Sequence, residues 1–102
     1  MSSYQEGMDA YERGDYDTAL KEWRPLAERG NEAAQANLGL MDAKGQGVAQ
    51  NYIQAYMWET LAAAQGNENA SKGLEILEKK MSPAQLAEAQ RLAREWKAKG
   101  KK

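Results

Sequence analysis

Residues 16–34 read YDTALKEWRPLAERGNEAA, and residues 52–70 read YIQAYMWETLAAAQGNENA. Set one above the other, they match at Tyr16/Tyr52, Ala19/Ala55, Ala27/Ala63, Gly30/Gly66, Asn31/Asn67, Glu32/Glu68 and Ala34/Ala70. That is seven identities in a 19-residue window at one offset of 36. Alanine-rich helical composition can repeat an alanine by chance, but it does not repeat a Gly-Asn-Glu corner. A fixed period of this size marks a repeat architecture. At each corner the glycine suits the left-handed backbone that ends one helix. The asparagine that follows suits the cap of the next. Ala27, Ala34, Ala63 and Ala70 let neighbouring helices come close. Each unit is a helical hairpin that cannot bury its apolar face alone, so units must stack.

Along the rest of the chain, the breaks fall at Gly14-Asp15, Gly30-Asn31, Gly45-Gln46-Gly47, Gly66-Asn67 and Ser82-Pro83. β-branched residues are scarce, no stretch alternates with period two, and good helix formers dominate. The spacing predicts six helices near 3–13, 16–29, 32–44, 51–65, 68–80 and 83–98. Tyr16, Ala19, Leu20, Trp23, Leu26 and Ala27 form a one-face stripe on the second. Ser82, Pro83 and Gln85 carry a capping-box signature at the start of the last. Its buried stripe should be Leu86, Ala89, Leu92, Ala93 and Trp96. The fold class is all-α, as one domain over 1–102 with units near 3–30, 31–66 and 67–98. Residues 83–98 are expected to cap the stack, with a basic tail at 99–102.

The chain has 102 residues, no Cys, no His and no Phe. A disulfide framework, a cysteine nucleophile and the commonest metal ligand are therefore excluded. The formal charge of −1 conceals an asymmetry. Residues 1–78 hold 6 Lys/Arg against 13 Asp/Glu, or −7, and residues 79–102 hold 8 against 2, or +6. No apolar run is long enough to span a membrane. The start lacks the basic and apolar regions of a signal peptide. Cytoplasmic synthesis and loss of an export signal both fit.

Ala34-x-x-x-Leu38-Gly39, Gly45-x-Gly47-Val48, Ala55-x-x-Trp58-x-x-x-Ala62-Ala63-x-x-Gly66 and Ala70 together resemble the Sel-one-like repeat family, a branch of the tetratricopeptide-like superfamily rich in bacterial members. Gly7, Gly14-Asp15-Tyr16, Ala19-Leu20 and Trp23 resemble a tetratricopeptide unit, and residues 82–96 are similar to the capping helix of small exported members. The resemblance implies a right-handed α–α superhelix with a concave inner face that binds other proteins. Two positions depart from it: Asp42 and Glu59 stand where the family usually has aromatics. An unpaired buried carboxylate is costly, so both acids are expected to be exposed or paired with a cation such as Lys44 or Arg24. Surface drift, a negatively charged recognition spot and a redesigned surface are the readings open for these swaps.

Chemistry is sparse. No His is present to activate a hydroxyl, and neighbours such as Ser71 and Lys72 point apart on a helix. Gly45-Gln46-Gly47 lacks the Lys-Ser/Thr of a phosphate loop, so a turn is expected. No metal or cofactor motif is present, and the expectation is a non-enzyme. The cations of the last segment suit a helix C-terminus and a soluble cap, and nucleic-acid binding is not expected. Matching Gly7, Gly39 and Gly73 to one repeat position aligns Met8, Leu40 and Leu74 in a row on the concave face. Tyr4, Tyr11, Asn37, Met41 and Lys44 should lie beside them. Met and Tyr make good peptide anchors. The expected function is a scaffold that binds a peptide or partner helix in this groove. The alternative is a self-assembling component that uses outer helix faces around Tyr56 or Trp58.

Overall fold

Every helix among the described residues opens on a side-chain cap. Ser3, Asp15, Asn31, Asn51, Asn67 and Ser82 each accept a hydrogen bond from the backbone N–H three residues on. These short polar side chains satisfy N–H groups that have no partner inside the helix. The computed structural model describes residues 2–98, and the helices are α1 (Tyr4–Glu12), α2 (Tyr16–Glu28), α3 (Glu32–Lys44), α4 (Tyr52–Ala64), α5 (Glu68–Glu78) and α6 (Pro83–Glu95). No strand occurs among the described residues. The expected basic tail, 99–102, lies outside them.

The repeated corner behaves alike in both copies. Gly30 and Gly66 take φ of 103° and 96°, and the N–H groups of Asn31 and Asn67 reach back to the carbonyls of Leu26 and Ala62. Ala19 and Ala55 are fully buried, as are Ala34 and Ala70. The capping box at Ser82 closes in both directions, with Gln85 N–H to Ser82 Oγ at 3.1 Å and Ser82 N–H to Gln85 Oε1 at 2.9 Å.

Packing is between successive helices, as in a hairpin-repeat arrangement, with α3 and α4 the most extensive pair. One core gathers Ala10, Ala19, Leu20, Trp23, Ala27, Ala34, Leu38 and Met41 from α1 to α3. A second gathers Ala55, Tyr56, Leu77, Met81 and Ala89 from α4 onward. The last helix departs from a closed third hairpin, because α6 lies chiefly against α4. It also ends at Glu95, short of 98. Trp96 turns to extended backbone, φ −68° and ψ 139°, and its indole packs edge-on to Trp58 with ring centroids 6.2 Å apart.

The Gly45-Gln46-Gly47 segment is a tight turn with φ of 70° and 75° at its glycines. Gln46 ties it down, donating to Tyr16 Oη at 3.3 Å and accepting from Tyr11 Oη at 2.9 Å. The role of this turn is to fasten the second unit onto the first.

Candidate functional site

The first helix of each unit lines one side of the molecule. Between α3 and α5 run two clefts of about 410 and 400 Å³, and both are lined by Leu40, Glu59, Gly73 and Ile76. A third, of about 190 Å³, lies between α1 and α3 over Met8, Tyr11, Trp23, Asn37 and Leu40. Leu40 lines all three, so they adjoin one another around it as a segmented trough. Among the described residues, Leu40 and Ile76 are the large apolar side chains left most open to solvent, at 37% and 58% exposure. Lys44 and Lys80 line the first cleft and Lys72 the second.

Most of the residues expected in a groove are brought there. Tyr4, Met8, Tyr11, Asn37, Leu40 and Lys44 all line the trough. Asn37 joins α3 to α1, donating to Tyr4 Oη at 2.9 Å. Two expectations are corrected. Met41 is completely buried in the first core, because its neighbour Leu40 takes the outward position and successive helical residues point about 100° apart. Leu74 is half-buried and packs against the second core. Ile76, Lys72 and Lys80 line the trough without having been singled out in the sequence. Ile76 could have been found as an apolar residue off the Ala70, Leu74, Leu77 stripe. The outer-face expectation also changes. Tyr56 is 5% exposed, with its hydroxyl on Glu78 Oε2 at 2.9 Å, and Trp58 is engaged by Trp96.

The two acids need separate accounts. Asp42 is half-buried beside Arg24. Burial outweighs the pull of that guanidinium and raises its carboxyl to about 6. Glu59 contradicts the expectation outright: it is 7% exposed, and Oε1 has no hydrogen-bond partner among the described residues. Burial alone raises its carboxyl to about 8, with no cation opposing. Near neutral pH it therefore holds a proton, which is how the fold tolerates it. Gln35, the other buried polar side chain, is satisfied, donating to Ala27 O at 3.1 Å and accepting from Gln65 Nε2 at 3.0 Å.

Glu59 is buried because two glycines let it in. A Cβ on Gly39 would fall 2.8 Å from Glu59 Cδ, and one on Gly73 would overlap Glu59 Oε2. The carboxyl thus lies between the backbones of α3 and α5, on the trough floor. The same offset of 36 that relates the corners places Glu59 at the position of Trp23. Trp23 covers Gly7 as Glu59 covers Gly39, but it is satisfied, donating from Nε1 to Tyr4 O at 3.1 Å. A carboxyl in the place of an indole fills less volume, and Glu59 lines both of the larger clefts.

Among the described residues, no group of three or more acidic side chains is placed to hold a metal ion. No described helix is long and apolar enough to cross a membrane. Neither a scan of the chain against protein-family models nor a search of curated proteins finds a match.

Proposed function

We propose that this chain is a protein-interaction module of the Sel-one-like, tetratricopeptide-like kind, and that it binds a peptide or partner helix in the trough of α1, α3 and α5. It has no catalytic role in this reading. The observation that carries it is the placement of Leu40 and Ile76 side by side over one cleft, at 37% and 58% exposure. Exposed apolar groups gathered in a concavity are the usual seat of a partner's anchor residues. An amphipathic helix or extended segment would lay its apolar face there. The resemblance noted in the sequence supports the same reading.

The test is a pair of substitutions in the trough, Leu40→Glu and Ile76→Glu. Both residues are exposed, so the fold should survive, and partner binding should fall at least tenfold. Binding that persists in the folded double variant contradicts the groove. Met8→Glu is a poorer test, because Met8 packs against the first core.

A further inference from the structure

We infer that the trough takes a partner segment with one arginine or lysine set between apolar residues, and that this cation is seated on the carboxyl of Glu59. The inference rests on the groove reading above and specifies its occupant.

Three observations converge on it. Glu59 is 93% removed from solvent, yet it lines both clefts of the trough. Its Oε1 has no partner among the described residues, and buried polar atoms normally have one. Gly39 and Gly73 pack closely against the carboxyl from α3 and α5, and having no side chains they offer it no side-chain donor.

A side chain that completes this site must be long, largely aliphatic and tipped with N–H donors. Arginine and lysine meet that description. Their methylene stems can lie on Leu40 and Ile76 while the head reaches the acid, and a guanidinium can meet a carboxylate with two parallel bonds. Glu59 releases its proton when the cation arrives. With its carboxyl at about 8, that release costs roughly tenfold in affinity at pH 7. A charge-assisted hydrogen bond in a shielded site is worth more than that. Lys44, Lys72 and Lys80 also line these clefts. They disfavour a uniformly basic segment and fit an occupant that carries acidic residues beside its cation and apolar groups.

The experiment is selection from a displayed library of random 12-residue peptides on the whole chain. It is run in parallel on wild type, Glu59→Gln, Glu59→Met and Leu40→Glu/Ile76→Glu, each verified as folded by circular dichroism. Enriched peptides are then synthesised, and their affinities measured by calorimetry with each Arg or Lys replaced in turn by norleucine. Wild type should enrich peptides that share one Arg or Lys between apolar residues. Its replacement should cost at least tenfold against wild type and under threefold against Glu59→Gln and Glu59→Met. Peptides that depend on Leu40 and Ile76 but share no cation overturn the inference and leave the groove reading intact. So does a cation whose replacement costs the same against wild type and both Glu59 variants. If every enriched peptide is indifferent to Leu40→Glu/Ile76→Glu, the groove reading fails, and the inference fails with it.

Discussion

Glu59 occupies in the second unit the place that Trp23 fills in the first: each covers the glycine of a neighbouring helix, Gly39 and Gly7 respectively. The indole has a partner for its N–H, at 3.1 Å on Tyr4 O, whereas Glu59 Oε1 has none among the described residues. One unit thereby has a satisfied side chain over its glycine and the next an unsatisfied one, and the unsatisfied one lines the clefts. The expected consequences are measurable.

Stability should fall as pH rises from about 5 to about 8. Burial raises Glu59 from 4.5 to about 8 and Asp42 from 3.8 to about 6. A carboxyl with a raised folded value binds its proton more tightly when folded. Its contribution is complete below the unfolded value and is lost as pH climbs through the folded one. The slope from Glu59 should be on the order of 1 kcal/mol per pH unit. Urea midpoints measured across this range should fall in wild type, and Glu59→Gln should flatten the upper part of the curve. Equal slopes in the two proteins would contradict the burial of Glu59.

Glu59→Met should stabilise the protein. It keeps an unbranched side chain of similar length and removes a buried oxygen without a partner, which costs roughly 1–3 kcal/mol where it occurs. The gain should be larger at pH 8 than at pH 5, because wild type must carry the charge at the higher pH. Denaturant unfolding at the two values tests both sign and order.

The glycines of the first helices should rank by what they face. A Cβ on Gly7 would overlap the Trp23 ring, including Cδ1 at 2.6 Å, and Trp23 is 1% exposed and held by its hydrogen bond. Gly7→Ala should cost roughly 1–3 kcal/mol or more. Gly73→Ala should cost less, since the atom it meets is the end of a flexible side chain. A combined Gly73→Ala/Glu59→Ala variant should remove the clash between them, which a double-mutant cycle would report as coupling.

Trp23→Ala should cost roughly 3–5 kcal/mol. The ring is packed by Tyr4 and Tyr11, each with a centroid 5.8 Å away, so its removal empties the middle of the first core. A thermal unfolding midpoint close to wild type would contradict this assignment.

Much of the architecture was legible locally. The Gly-Asn-Glu corners, the Ser82 box and the apolar stripe of α2 lie within one or two turns of chain, and all three appear in the fold where the spacing placed them. Helix ends agree to within three residues, the largest difference being at α6. Trp96 leaves the helix there for a contact with Trp58, and helical periodicity carries no trace of a distant ring. The trough was legible in part. Leu40 and Asn37 fell on the right face, but Met41 and Leu74 were misplaced, because a half-turn shift decides between core and groove. Glu59 was marked as odd without its burial being foreseen. The offset that aligned the corners already paired it with Trp23, and that was the available signal.

The helices, their caps and their repeat period are thus encoded locally, since they depend on hydrogen bonds and apolar stripes within a few residues. That α6 rests on α4, that Leu40 and Ile76 share one cleft, and that an acid lies buried beside them follow from long-range packing. Each of these depends on how far apart separate helices come to rest. For Glu59 that distance is set by glycines on two other helices, Gly39 and Gly73. Nothing in the residue's own neighbourhood encodes it.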